Sequence, residues 1–266
     1  MNEILHNPDN NQIIEAIESN TYEYRKWFSK SIKGGEIIQN EEFYLFCSGL
    51  KYGFTNFVID IKIRENAKSK IEDIVSFFKK RNLPFLCLIG PNTKPNHIRE
   101  LLIENNLRLV IKEPAMAFFL DNLEVINKPF IKLEIVKPGD YEELIIWNNI
   151  RKEVYEFPEE TLTKSYLIPV LDSKVTAYMA YFEKKPIATS LAFYNSGVAG
   201  IYSVTTLPEY RGKGIGTYMT YLLMQDAKKK GYELITLHSS EKGLNVYRKL
   251  GFREYDYIDY YFWKPE

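Results

Sequence analysis

Cysteine is scarce: the 266 residues hold two, Cys47 and Cys87. Both lie in apolar, strand-like runs (Tyr-Leu-Phe-Cys and Phe-Leu-Cys-Leu), so buried reduced thiols are expected rather than a disulfide or a nucleophile. The three histidines, His6, His97 and His238, are far apart, and none is spaced from a cysteine or a second histidine as metal ligands are; no metal site is expected. Net charge is missing too. Lys plus Arg number 35 and Asp plus Glu number 35, so no global basic field argues for nucleic acid. Lysine runs such as 228–230 read as solvated helix ends. No apolar run approaches the roughly 20 residues that span a bilayer. Residues 1–10 lack the basic start and apolar core of a secretory signal. The cytoplasm is therefore the expected compartment, with no membrane partner.

What is present suits a globular protein: 45% hydrophobic and 26% charged residues, enough chain for two ordinary domains. Periodicity in the first half predicts one or two helices over 11–32, strands at 42–50 and 55–63, and an amphipathic helix at 67–80. A buried strand at 83–89, a helix at 96–106 and strands at 107–111 and 116–120 follow. Residues 121–130 are polar, contain Pro129 and read as a linker. The second half predicts a strand at 131–136 and a helix from Asp140 to about residue 153. It continues with a helix at 159–171 and strands at 175–182, 187–194 and 198–206. A helix from Ile215, a strand at 234–238, a short helix at 244–250 and one or two closing strands at 254–263 complete it. The expected domains are 1–125 and 131–266, and the order strand, strand, helix, strand, helix, strand, strand occurs in both.

One stretch carries chemistry. The β-branched run ending at Leu207-Pro208 leads into Arg211-Gly212-Lys213-Gly214-Ile215-Gly216-Thr217, and a helical pattern follows without a gap. A strand, a glycine turn and a helix N-terminus place free N–H groups where an anionic phosphate can sit. Alternate glycines remove every second Cβ, so a ligand can touch backbone. Arg211 and Lys213 add positive charge. The stretch is not a P-loop, which needs G-x-x-x-x-G-K-[ST]. It is not a dinucleotide fingerprint either: Thr217 stands where the third glycine should fall, and Glu233 lies at a strand start rather than a strand end. At the matching junction of the first half the chain reads Arg64-Glu65-Asn66, with no glycine and a carboxylate that would repel phosphate.

The pattern Arg211-x-x-Gly214-x-Gly216 is preceded by Val204-Thr205-Thr206-Leu207-Pro208-Glu209-Tyr210. It is followed by Ser240 and then by Tyr247-Arg248-Lys249-Leu250-Gly251-Phe252. Two blocks in this order, about 30 residues apart with a helix and a strand between, resemble the GNAT acetyltransferase superfamily. The resemblance covers about residues 131–263. It implies an α/β fold (a mixed, mostly antiparallel central sheet flanked by helices) in the second half, and a degenerate GNAT-like domain in the first.

By the same resemblance, the amides of Gly212, Lys213, Gly214, Ile215, Gly216 and Thr217 would bind the pyrophosphate of acetyl-CoA, the acyl-donor substrate. Arg211 would sit beside them, and the backbone of Val204, Thr205 and Thr206 would pair with pantetheine on a bulged strand. One of those amides could stabilise the oxyanion, and Tyr247 would protonate the departing thiolate. Ser240 stands where many members have Asn contacting the cofactor. No Glu occupies the usual base positions; Tyr202, His238 or a water chain are the candidates. The implied reaction is acetyl transfer to a primary amine, of a small molecule or a peptide, by direct attack. Two rivals stand beside it: a non-catalytic acyl-CoA sensor, and a tandem transferase of a larger acyl group. The first half would wall the acceptor cleft or mediate assembly, a homodimer included.

Overall fold

The computed structural model describes residues 3–162 and 164–266. Met1 and Asn2 of the expected leader-free start, and Thr163 of the helix expected at 159–171, lie outside the described residues. In chain order the elements are helix α1 (Asn10–Lys30), strands β1 (Glu36–Gln39), β2 (Tyr44–Cys47) and β3 (Asn56–Ile59), helix α2 (Ala67–Arg81), strand β4 (Phe85–Ile89), helix α3 (Ile98–Glu104) and strand β5 (Arg108–Phe119). Then come β6 (Glu134–Val136), α4 (Tyr141–Tyr155), α5 (Lys164–Leu167), β7 (Val175–Phe182), β8 (Lys185–Asn195) and β9 (Val198–Thr206). The chain closes with α6 (Ile215–Lys229), β10 (Leu234–His238), α7 (Leu244–Lys249) and β11 (Arg253–Trp263).

Two compact units share these elements. The larger gathers Met1–Tyr24 and Ala115–Tyr255, the smaller Arg25–Pro114 and Asp256–Glu266. Each contains a mixed sheet. In the larger unit β6, β7, β8 and β9 run antiparallel in sequence, β9 and β10 pair in parallel, and β10 pairs antiparallel with β5. In the smaller unit β1, β2 and β3 run antiparallel, β3 and β4 are parallel, and β4 pairs antiparallel with β11. From β7 onward the larger unit's pairing pattern corresponds strand for strand to that of the smaller unit, with β6 an additional edge strand, α2 in the place of α6 and α3 in the place of α7. The closing strands are exchanged: β5, which follows α3, completes the larger unit's sheet, and β11, which follows α7, completes the smaller one's.

Alternation along the strands builds two apolar layers in the larger unit. Met116, Phe118, Ile201, Ile235 and Leu237 face α6, whose Ile215, Met219, Leu223 and Ala227 form the buried stripe of a 3.6-residue period. Full burial of a side chain such as Leu223 is worth roughly 1.5–3 kcal/mol. Ala115, Ala117, Val198 and Leu234 face Ile13, Ala16 and Ile17 of α1 on the other layer. Helix α6 ends where expected, with Lys228 and Lys229 in its last turn and Gly231 at φ +85°. Helix α4 starts at Asp140, whose side chain accepts from the Glu143 N–H. The smaller unit's core packs Ile71, Ile74 and Phe78 of α2 on Val58, Phe85 and Cys87. Both cysteines are free and buried, and burial pushes the Cys47 and Cys87 thiols up.

Several boundaries differ from the sequence reading. The strands expected at 107–111 and 116–120 are one strand, β5, and the short β1 carried no sequence signal. Strand β6 covers only Glu134–Val136 of the run expected at 131–136. The helix expected at 159–171 is a series of short turns; Pro169, without an N–H, sits in the last of them. The closing run is a single strand, β11.

Candidate functional site

Strand β9 is irregular at its C-terminal end. Its register against β8 runs Leu191↔Tyr202 and then Thr189↔Thr205, so three steps on β9 oppose two on β8. The extra residue is a β-bulge. Ser203 stands in it at φ +54°, a left-handed conformation that non-glycine residues rarely adopt. The bulge is held from inside: buried Thr189 donates to the Ser203 carbonyl at 2.8 Å, and Thr205 Oγ1 lies 3.0 Å from Thr189 Oγ1. On its other edge β9 pairs with β10 only from Ala199 to Ile201. The last five residues of β9 therefore run on past the shared ladder. A gap opens there between two parallel strands, flanked by strand-end amides.

The glycine turn follows at once. A short 3-10 turn over Pro208–Tyr210 brings the chain to Arg211, whose Nε donates to the Thr206 carbonyl at 3.0 Å and fastens the loop to the strand end. Gly212 and Gly214 have φ of +76° and +77°, and a Cβ on either would meet no atom within 4 Å. Backbone conformation, not crowding, demands glycine at both positions. Gly214 is the N-cap of α6, and no side chain caps this helix. The first intrahelical bond runs from Tyr218 N–H to Gly214 O, so the N–H groups of Ile215, Gly216 and Thr217 point out of the helix end. A Cβ on Gly216 would lie 4.0 Å from Thr206 Oγ1. Residues 211–214 are exposed, whereas the Ile215 side chain is in the core and offers only its backbone.

Basic groups border the turn. Lys213 Nζ lies 5.2 Å from the Tyr210 ring centroid and Lys185 Nζ 5.3 Å on the same ring. Lys185 also pairs with Glu209 at 2.8 Å; that hydrogen bond holds the Glu209 carboxyl below its ordinary range and raises the lysine. Both groups are at the surface.

The residues singled out from sequence distribute unevenly. Val204, Ile215 and Tyr247 meet in the apolar cluster that also contains Leu207, Leu237 and Phe252. Tyr247 is buried on α7, edge-on to Phe252 at 5.8 Å, and passes over Gly243, where a Cβ would lie 2.9 Å from its ring. Thr205 is buried and its hydroxyl bonds inside the bulge, so it too offers backbone only. Ser240 lies exposed in the turn between β10 and α7. Its Oγ accepts from Gly243 N–H at 3.3 Å, and Gly243 is the N-cap of α7. Among the described residues no cluster of three or more His, Cys, Asp or Glu is placed to hold a metal, and no helix is long and apolar enough to cross a membrane.

The sequence reading predicted α1 as a helix but missed its contacts with the strand ends. Its Asn20 is fully buried and accepts from Tyr202 Oη at 2.7 Å; Thr21 lies 3.3 Å from His238 Nε2; Tyr24 stacks on Tyr202 at 3.9 Å. A signal existed. Ile13, Ile17, Asn20 and Tyr24 follow a helical stripe, and an amide within such a stripe must bond something buried.

Comparison with known proteins agrees with this geometry. Residues 142–252 match the Acetyltransferase (GNAT) family. Glucosamine 6-phosphate N-acetyltransferase of Trypanosoma brucei brucei is 41% identical over 59 residues, which are 22% of this chain and 40% of that protein. The match thus spans well under half the length of that relative. A GCN5-related N-acetyltransferase from Kribbella flavida superposes with a TM-score of 0.71 at 17% identity, over 94% of this chain and 96% of its own. One from Sphaerobacter thermophilus gives 0.63 at 13% identity, over 97% and 94%. A tandem GNAT protein from the clavulanic acid biosynthesis pathway gives 0.61 at 12% identity, over 84% and 78%. At such identities the superpositions speak to the fold. The family match speaks to the bulged strand and its glycine turn: the segment 142–252 that contains them belongs to the GNAT acetyltransferase family.

Proposed function

We propose that this protein is an acyl-CoA-dependent N-acyltransferase, moving acetyl from acetyl-CoA to a primary amine by direct attack within a ternary complex. The observation that carries the reading is the coincidence of three features on consecutive residues. The bulge shifts the β8 register between Tyr202 and Thr205, the β10 ladder stops at Ile201, and an uncapped helix begins at Gly214. A diphosphate suits the N–H groups of residues 215–217, with Arg211 and Lys213 beside them. A pantetheine chain suits the free edge of β9, as an added strand. Bound there, the donor supplies an activated thioester. The chain's own residues do the rest: an amide of the bulge polarises the carbonyl, and Tyr247 gives a proton to sulfur as the bond to carbon breaks.

The larger unit bears this chemistry. The linear division into 1–125 and 131–266 is proposed as the boundary between two related halves, each with its closing strand lent to the other unit. The acceptor is proposed to be a small amine; an amino sugar phosphate belongs in the first panel, because a short segment resembles an enzyme named for one.

Calorimetry with acetyl-CoA and thiol release over an amine panel test the reading. Binding with amine-dependent thiol release is expected. Tyr247→Phe should lower turnover by about 100-fold with donor affinity unchanged, the usual scale of a general acid. Binding without turnover on any amine would favour the sensor, and no binding would remove the proposal altogether.

A further inference from the structure

Strand β8 is buried from Ile187 to Tyr194, yet two hydroxyl residues, Thr189 and Ser190, stand at its middle, both fully buried. A hydroxyl shut away from water has to bond something inside. Ser190 Oγ donates to the Met219 carbonyl of α6 at 3.4 Å. Thr189 turns instead to the bulge of β9. Its single hydroxyl proton goes to the Ser203 carbonyl at 2.8 Å. Thr205 Oγ1, also buried, lies 3.2 Å from the same carbonyl and 3.0 Å from Thr189 Oγ1. Two hydroxyls and one carbonyl close a triangle in which the carbonyl can only accept. The buried triangle fixes the direction of one peptide plane. A trans peptide points its C=O and its N–H in opposite directions. The Ser203 carbonyl leans toward Thr189, on β8, so the Val204 N–H of the same plane is turned away from β8, to the side on which β10 lies. The β10 ladder ends at Ile201, before Val204 is reached. Ser203, at φ +54°, is the residue that turns this peptide out of the regular strand.

We propose that Thr189, with Thr205, is the positioning residue that aims the Val204 N–H at the thioester oxygen, where that amide donates as negative charge builds. The proposal rests on the acyltransferase reading above and names the amide which that reading leaves open. Neither threonine touches substrate. No proton is transferred in this role: the N–H keeps its hydrogen. The charge on oxygen returns to the carbonyl when the C–S bond breaks with its electrons on sulfur. A donor held in place before the reaction needs no reorganisation when the charge appears. A backbone amide has no rotamer of its own, so only the far end of its peptide plane can hold it. Here that end is the Ser203 carbonyl, and the two buried hydroxyls are what grips it.

Kinetics and spectroscopy test this separately. Thr189→Val removes the hydroxyl and keeps the shape. Its turnover at saturating acetyl-CoA should fall at least about ten-fold, short of the roughly 10²–10³ that follows outright loss of such a donor. Donor affinity by calorimetry should stay within about two-fold of wild type, or 0.4 kcal/mol. Thr189→Ser, which keeps the hydroxyl, should return most of the lost turnover. Turnover in Thr189→Val that matches wild type, or a loss that Thr189→Ser does not relieve, overturns the proposal. The spectroscopic arm uses wild-type protein and needs no variant to fold. Ser203-Val204 is the only Ser-Val step in the chain, so serine labelled with carbon-13 at the carbonyl and valine labelled with nitrogen-15 select this one amide. Acetyl-CoA should move the Val204 amide proton downfield, and coenzyme A without an acyl group should not. An amide that acetyl-CoA leaves in place, or that coenzyme A moves equally, overturns the proposal. Wild-type protein that acetylates no amine would sink the acyltransferase reading and this role together. Wild-type protein that transfers acetyl while the Val204 amide stays unmoved would sink this role alone.

Discussion

Two glycines with one residue between them, Gly214 and Gly216, do different work, and substitution can separate them. Gly214 is held at φ +77° with open space where a Cβ would go. Alanine there meets no neighbour but must occupy the left-handed region, at a cost of roughly 1–2 kcal/mol. Gly216 lies within the first turn of α6, where its φ is not in that region, and the nearest atom to an added Cβ is 4.0 Å away. Glutamate at 216 is compatible with the fold, and its charge suits a helix N-terminus, worth about 0.3–1 kcal/mol. The same charge stands where a diphosphate would sit. Gly216→Glu should therefore leave the melting temperature unchanged or slightly raised while acetyl-CoA affinity falls at least about 100-fold, or roughly 2.7 kcal/mol. Gly214→Ala should lower the melting temperature first. Paired melting curves and titration calorimetry check both; a Gly216→Glu protein that still binds tightly would put the donor elsewhere.

The contrast between equivalent elements of the two units says where a second donor site is absent. In the larger unit the gap beside β9 is bordered by an uncapped helix end. In the smaller unit the matching gap is stitched: Lys94 N–H donates to the Ile61 carbonyl at 2.9 Å, and Ile63 N–H to the Lys94 carbonyl at 3.1 Å. The start of α2 already has an anion. The Glu42 carboxylate accepts from Lys70 Nζ at 2.6 Å and from the Arg64 N–H at 3.4 Å. The lysine hydrogen bond, more than any other influence, holds that carboxyl below its ordinary range, so it stays ionised through neutral pH. Full-length protein should accordingly bind one equivalent of acetyl-CoA by calorimetry. A second equivalent that persists in Gly216→Glu would show the smaller unit binding it. The glycine turn was legible because its residues are contiguous and each type has a local reason to be there. The bulge was expected from the family resemblance alone: Ser203 looks like any other residue of a β-branched run, and only pairing with β8 reveals the extra position. Glu65, which the sequence suggested as the repelling charge, is a neighbour of the feature; the anion itself comes from Glu42, 22 positions before Arg64.

For the whole molecule, the exchanged closing strands decide what can fold alone. Periodicity identified β5 and β11 as strands but holds no information about partners, so a division at residues 121–130 looked like a simple cut between domains. In the structure the larger unit takes Ala115–Phe119 as the neighbour of β10, with five residues in register from Leu234↔Phe119 to His238↔Ala115. It also takes Ile13, Ala16 and Ile17 of α1 to cover the layer around Val198 and Leu234. A fragment of residues 131–266 has the glycine turn, the bulge and Tyr247, yet lacks both. Its β10 would present an open edge, and an apolar layer would face water. This fragment is expected to aggregate or to bind a hydrophobic dye, with no acetyl-CoA binding, although every residue of the donor cradle is present. A partner fragment of residues 1–130, co-expressed, should restore solubility and donor binding together, because it returns β5 and α1 to the larger unit and receives β11 in the smaller. Circular dichroism melts and calorimetry on the fragment, the pair and the intact chain distinguish the outcomes. A fragment of 131–266 that folds cooperatively and binds acetyl-CoA by itself would mean that the exchange is not needed to build the site.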